Sequence, residues 1–360
     1  MTQLLILMIF IKPITARKFQ KILQLLPKMI LSVCTIMQIF CVLHRAEIDF
    51  MPVIVTNCTA KKRGAKAALV MDASLVGPTL ADTVTQWQAA VAGCTAVRSA
   101  MDVYMGRSIS EARRAAHNLN ASLYFVSAGM GVVAAEAKIP AYDLTPVQVS
   151  GGLALALAQH QATPAQWWHL LSGLGLSRLI RTLADEQVLV ALPATYLKML
   201  ALDLAEIRPI DVARLRIFTS PAGMVEIPAT LRPIVMPYDE RLESVTGFAG
   251  TQADFPQRAL RHFVEELKGT GKSLQASRVL IANSLASHTT RRTPLRKRLD
   301  DSQLKALIRQ RWNSCQGRST QLLRALRDEE LVACEQGRFV QLWREIGKEI
   351  SPATNPGVHG

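Results

Sequence analysis

Five short apolar runs, each bounded by turn chemistry, constrain this chain more than any other feature. They are Val53-Ile-Val55, Leu123-Tyr-Phe-Val126, Val188-Leu-Val-Ala-Leu192, Leu215-Arg-Ile-Phe218 and Pro233-Ile-Val-Met236. Continuous runs of this length suit strands covered on both faces of a mostly parallel sheet. Between them, the spacing predicts helices over 110–118, 146–161, 164–171, 176–183 and 194–205. Alternation of this sort is the mark of an α/β fold with helices flanking the sheet. The connection 57–107 is long, and its basic stretch 61–66 and Gly77-Pro78 read as loop.

Past residue 255 the strand-like runs stop. Phe255, Leu260, Phe263, Val264 and Leu267 recur at helical spacing, which predicts a capped helix over 254–267. Helices are predicted over 273–285, 302–312, 319–327 and 333–346, with a basic connector over 288–298. The expected organisation is an α/β ligand-binding domain at 51–250, an all-helical, basic, helix-turn-helix-like module at 251–350, and a frayed tail at 351–360.

Charge divides the chain in a similar way. The sequence holds 42 Lys/Arg against 28 Asp/Glu, for +14. Residues 67–267 hold 15 basic and 18 acidic side chains, for −3, whereas residues 268–327 hold 14 and 2, for +12. Residues 1–66 (10 against 2) add +8, and residues 328–360 (3 against 6) contribute −3. This balance excludes a disordered acidic solubiliser and points to an anionic partner. Aromatic residues make up only 6% of the chain, too few for the base-stacking platform of a single-strand binder. Six cysteines in 360 residues are too sparse for a disulfide scaffold, and a cytoplasmic protein is expected.

Residues 1–50 read unlike the rest. The apolar runs 4–11 and 29–43 both fall short of the roughly 20 residues a spanning helix needs. No small-residue cleavage site follows Leu43, which argues against a signal peptide. Three readings stand: a natural start at Met51, a membrane-surface helix carrying Arg17, Lys18, Lys21 and Lys28, or an ordered helix.

Two loops follow predicted strands with residues suited to chemistry. After the first come Asn57, Cys58 and Thr59, then Lys61 and Lys62. After the second come Ser127, Gly129 and Gly131, and farther on Tyr142 and Asp143. In open α/β sheets, ligands sit beyond the carboxyl ends of strands, and small residues there let backbone N–H groups face an anion. Neighbouring strands would place a thiol beside ammonium groups, the environment in which thiolates form, with Asp143 as general acid or base. The structural alternative is that the small residues make turns and Asp143 caps a helix.

The succession Asn57-Cys-Thr-Ala-Lys61-Lys62, Tyr104-x-Gly106-Arg107, Leu123 to Gly131 and Ile139-Pro-x-Tyr142-Asp143-Leu-Thr145 resembles small α/β domains of uncharacterised bacterial proteins. More distantly, it is similar to the α/β domain associated with archaeosine synthase. The resemblance covers roughly residues 52–145. It implies a uracil-glycosylase-like fold that handles a nucleoside, modified base or nucleic acid. Gly129-Met130 stands where that pattern has a longer polar or aromatic side chain before the second glycine.

A second polar stretch contains Tyr238, Asp239, Glu240, Arg241, Asp254, Arg258 and His262, around Gly247 to Gly250. Its structural reading is a solvated helix face with i,i+3 and i,i+4 pairs; its functional reading is a second catalytic or phosphate-contacting cluster. Ala222-Gly-Met224 followed by Tyr238-Asp239 echoes Ala128-Gly-Met130 followed by Tyr142-Asp143, but matches this short recur by chance. Gly269-Thr-Gly271-Lys272-Ser273 resembles the end of a P-loop, yet residue 266 is Glu and a helix precedes it. No C-x-x-C, H-E-x-x-H or G-x-S-x-G occurs, so no metal site is expected and no cofactor is named. Trp167, Trp168 and His169 read as packing and capping residues.

Within the basic module, Leu322, Leu323 and Leu326 face a core while Gln321, Arg324 and Arg327 share the opposite side, with Arg318 just ahead. Arg296, Lys297 and Arg298 add a dense run. This suits phosphate contacts and base-edge readout. The expectation is a protein acting on a nucleic acid or nucleoside, in base modification or defence against foreign DNA, whose partners are DNA and a nucleoside-type molecule. The alternative is a non-enzymatic DNA-binding regulator or defence-complex subunit that senses a small ligand. A membrane enters only through residues 1–50.

Overall fold

The computed structural model describes residues 51–63, 69–96, 98–146, 152–171, 175–183, 185–290 and 296–350. The expectations for residues 1–50 and 351–360, and for Arg291 and Arg292 in the basic connector, lie outside the described residues.

β-Branched and apolar side chains build the central strands, which are buried as continuous runs require. These strands are β1 (Val53–Asn57), β2 (Ser122–Ser127), β3 (Gly131–Ala134), β4 (Val188–Ala191) and β5 (Leu215–Phe218). They form one sheet in the order β3-β2-β1-β4-β5. All neighbours are parallel except β3, which returns antiparallel to β2 with Ser127 opposite Gly131. Gly131 holds φ +74° there, a conformation that a side chain resists. From β1 the chain winds to β2 on one side and later crosses to β4 on the other. The carboxyl end of β1 is therefore a topological switch point, the usual ligand position in such sheets.

Helices α1 (Leu80–Gly93), α2 (Arg107–Leu119), α3 (Pro164–Leu171), α4 (Ala194–Met199), α5 (Phe255–Glu265) and α6 (Leu274–Ala286) belong to the same unit. Thr79 and Asp82 close a capping box at the start of α1, a sequence signal hidden inside what reads as a long loop. The run 233–236 is not a strand. Pro233 lies in a 3-10 turn over Ala229–Ile234, and only Val235 bridges to Ile217, because proline has no N–H for a ladder.

The domain boundary also moves. The chain divides into one unit ending at Asp239 and resuming over Gly247–Ser287, and a second of Glu240–Thr246 with residues from His288 onward. Helix α5 belongs to the α/β unit because its apolar side covers the sheet. Phe263 meets Phe218 with ring centroids 5.3 Å apart, and Gln257 Nε2 donates to Thr56 Oγ1, Asn57 Oδ1 and the Ala191 carbonyl. Burying each such large side chain contributes about 1.5–3 kcal/mol.

The second unit is built on α7 (Asp301–Trp312), α8 (Ser319–Asp328) and α9 (Gln336–Ile350), with Lys297–Arg298 paired in parallel to Val332–Ala333. Leu304, Ile308, Leu322, Leu326, Phe339, Leu342 and Ile346 form its core. Gly317 turns the chain between α7 and α8 at φ +63°, and a Cβ there would stand 3.0 Å from the Trp312 ring. Among the described residues, no helix is long and apolar enough to cross a membrane.

Candidate functional site

Three segments meet at the carboxyl edge of β1 and β2. Cys58 continues β1, its N–H donating to the Val126 carbonyl at 2.9 Å. Residues 61–63 then pair with 103–105 through Arg63 N–H to Val103 O and Met105 N–H to Lys61 O, which sets Lys62 against Tyr104. Tyr142–Asp143 pairs with Leu69–Val70 and returns Tyr142 to the same place.

The side chains form a buried polar cluster. Tyr104 and Tyr142 share a hydroxyl hydrogen bond of 2.6 Å, and Tyr142 continues it to Ser127 Oγ at 2.5 Å. Tyr196, from α4, donates its hydroxyl proton to the Cys58 carbonyl at 2.8 Å, with its oxygen 3.2 Å from Cys58 Sγ. A phenol has one proton, so the thiol is the group left to donate in the second contact. Lys62 Nζ lies 4.8 Å from the centroid of the Tyr142 ring and has no hydrogen-bond partner among the described residues, although Lys62 is only 6% exposed. Burial pushes its amine below the ordinary lysine range, and the charges of Cys58 and Asp143 pull the other way. Burial likewise holds Tyr104, Tyr142 and Tyr196 above the ordinary phenol range, so all are protonated donors at neutral pH.

Two indoles fix the loop beside this cluster. Trp167 Nε1 donates to the Ala128 carbonyl and Trp87 Nε1 to the Gly129 carbonyl, both at 2.7 Å. The expected nest of N–H groups facing an anion is not formed. Gly129 N–H takes Ser127 Oγ at 3.2 Å, Met130 N–H takes the Ser127 carbonyl, and Gly131 opposes Ser127 in the ladder. Gly129 is instead required by packing, since a Cβ would stand 2.8 Å from the Tyr142 ring. The echo at Ala222-Gly-Met224 has another geometry, because it forms a short helix over Pro221–Met224.

The structure thus brings Cys58, Lys62, Ser127 and Tyr142 close to one another, with Asp143 half-buried within electrostatic range of Lys62. Lys61 is exposed. Asn57 is tied into the fold, its Nδ2 donating to the Cys58 carbonyl and its Oδ1 accepting from Gln257. Sequence reasoning missed Tyr104, Tyr196 and Gln257 as members. Tyr104 sat inside a motif already singled out, while Tyr196 and Gln257 are set only by where α4 and α5 pack. Among the described residues, no group of three or more His, Cys, Asp or Glu is placed to hold a metal ion.

The second polar stretch divides between the units, with Glu240 and Arg241 in the second and the rest in the first. Arg258 is fully buried, with Nε 2.7 Å from Asp254 Oδ1, and it also donates to the Phe248 and Thr251 carbonyls. Tyr238 and His262 hydrogen bond at 2.9 Å. Asp254, Arg258 and His262 therefore hold the 247–251 loop against α5 and are not the solvated face that helical spacing predicted.

In the second unit, Gln321, Arg324, Arg318, Lys297 and Arg298 are exposed. Arg327 is not on the open face with Arg324. Its Nε and Nη2 both donate to the Cys334 carbonyl, because the turn after α8 brings that carbonyl back beneath it. Arg296 is held similarly, by the Arg327 carbonyl and Asp328. Comparison with family models, with curated proteins and with solved structures finds no match for this chain.

Proposed function

We propose that the α/β unit binds and acts on a nucleoside-type ligand at the carboxyl edge of β1 and β2, and that the basic second unit is a helix-turn-helix-like nucleic-acid-binding module. The observation that carries the first part is the unpaired Lys62 amine buried against Tyr142, beside Cys58 and within range of Asp143. A desolvated amine gives up its proton more readily than an ordinary lysine, and the hydroxyl chain from Tyr104 through Tyr142 to Ser127 supplies hydrogen-bond donors beside it. Glycosidic-bond cleavage or base exchange is the reaction class this set serves. Asp143 acts as acid or base, and the aromatic rings of the site flank a planar base. The resemblance over residues 52–145 and the +12 segment 268–327 support the nucleic-acid side of the reading.

The second reading is a regulator or defence-complex subunit whose α/β unit senses the ligand without turning it over. It is favoured by the near-complete burial of Cys58, Ser127 and Tyr142. The two separate in one experiment on the full chain. Wild type and Asp143→Ala are compared for conversion of free nucleosides and for DNA binding. Turnover lost in the variant with DNA binding intact identifies an enzyme; saturable nucleoside binding without turnover in either protein identifies a sensor. No nucleoside binding at all overturns the proposal for this site.

A further inference from the structure

We propose that the second unit carries a pocket for a phosphate monoester, built on Arg296, Arg298, Arg327 and Arg338. Its identity as a nucleic-acid end rests on the nucleic-acid reading above; the pocket itself rests on geometry. A cavity of about 460 Å³ is lined by these four arginines with Ala333, Cys334 and Glu335. That volume falls in the roughly 300–1,000 Å³ range of small-molecule sites.

The local fold converges the guanidinium groups. Parallel pairing puts Arg298 opposite Ala333, one residue before Cys334. Arg327 reaches the same point from the end of α8 by donating Nε and Nη2 to the Cys334 carbonyl. Arg296 donates Nε to the Arg327 carbonyl and Nη2 to Asp328. Arg338, in the first turn of α9, is held by Asp301 and the Leu299 carbonyl. Each of these three is thus oriented by Nε and Nη2, and Nη1 of each has no partner among the described residues. The Arg298 guanidinium has no hydrogen-bond or ion-pair partner among them.

Glu335 does not fill the cavity's role for an anion. Its carboxylate oxygens accept the Gly337 and Arg338 N–H groups at 2.8 Å each, and those bonds, with Arg327, hold its carboxyl below the usual range. The start of α9 is therefore already capped, and an incoming anion meets side chains only. Asp301 and Asp328 pair with Arg338 and Arg296 but do not line the cavity. Three pinned guanidinium groups and one free fork match the three terminal oxygens of a phosphate monoester better than the two free oxygens of a diester.

The test is binding of a short oligonucleotide with a 5′-phosphate against the same strand with a 5′-hydroxyl, on the full chain, together with titration of inorganic phosphate. The variant is Arg298→Ala, whose side chain supports nothing else in the fold. The phosphorylated strand is expected to bind about tenfold tighter, and Arg298→Ala to erase the difference. Equal binding of the two strands overturns the pocket and leaves the nucleic-acid reading standing. Binding of neither strand, with saturable phosphate binding lost in Arg298→Ala, keeps the pocket, assigns it to a free phosphate and removes the nucleic-acid reading. Binding of none of the three overturns both.

Discussion

Lys62 holds its amine 4.8 Å from the centroid of the Tyr142 ring and makes no hydrogen bond among the described residues. The ring's negative face offsets part of the cost of burying a cation, but less than a carboxylate at hydrogen-bond distance would. The folded amine therefore binds its proton more weakly than the unfolded one, whose ordinary value is 10.5. Between the folded value and 10.5 the unfolded chain carries the extra proton, so this group's contribution to stability rises as pH rises through that window. Lys62→Met removes the charge and keeps the length. It is expected to be more stable than wild type at pH 7, with the advantage narrowing as pH rises toward 10.5, as urea unfolding across that range reads directly. A constant difference across that range contradicts a desolvated amine.

The hydroxyl chain makes a separate prediction. Tyr142→Phe deletes the central oxygen between Tyr104 and Ser127, leaving the Tyr104 hydroxyl without that partner and Ser127 Oγ with the Gly129 N–H. Each group left unsatisfied costs about 1–3 kcal/mol. Tyr104→Phe deletes only one end. The double variant is expected to lose less than the sum of the single losses, because the second deletion removes a group the first has already orphaned. A double-mutant cycle by thermal or chemical unfolding measures the coupling; strict additivity contradicts the shared network.

Four of the sheet's five strands were legible because their burial is written as unbroken apolar runs. Strand β3 was not, since Gly131-Val-Val-Ala134 is short and defined by its antiparallel return from the Ser127 turn. Helix α1 announced itself only through Thr79 and Asp82. The position of α5 was beyond periodicity: an amphipathic pattern states that a helix has an apolar side, and does not state which core it covers. The site was legible to the same depth. Residues that follow strands, such as Cys58 and Ser127, are placed by strand adjacency, whereas Tyr196 arrives on a helix whose docking no local pattern fixes. Arg327 shows the same limit, because its helical position alone predicts an open face and a turn closes over it.

The clamp on the 247–251 loop separates structure from chemistry. Arg258 is buried, and Asp254 is the carboxylate bonded to its Nε. Asp254→Ala removes the carboxylate bonded to that buried guanidinium, at a cost of about 3–5 kcal/mol. Asp254→Ala combined with Arg258→Met removes both charges and is expected to recover much of the loss. Urea midpoints of the two proteins check this. A double variant no more stable than Asp254→Ala would show that the carbonyl contacts of Arg258, and not the ion pair, hold the loop.

The two arginines of α8 give the sharpest contrast for nucleic-acid binding. Arg324 has a side chain 85% exposed and a loose 3.8 Å pairing with Asp328, so its charge is available to a phosphate. Arg327 spends two donors on the Cys334 carbonyl. Arg324→Ala is expected to leave stability within about 0.5 kcal/mol and to reduce the slope of log affinity against log salt by about 1. Arg327→Ala is expected to lower the unfolding midpoint, because the Cys334 carbonyl loses its donors. On duplex DNA with 5′-hydroxyl ends, which leaves the terminal-phosphate pocket empty, it is expected to weaken binding only as folding weakens. Fluorescence-anisotropy titrations of duplex DNA with 5′-hydroxyl ends over a salt series, with unfolding curves for both variants, carry the comparison. If Arg327→Ala flattens the salt slope while leaving stability unchanged, the guanidinium faces the nucleic acid and its bonds to Cys334 are not its role.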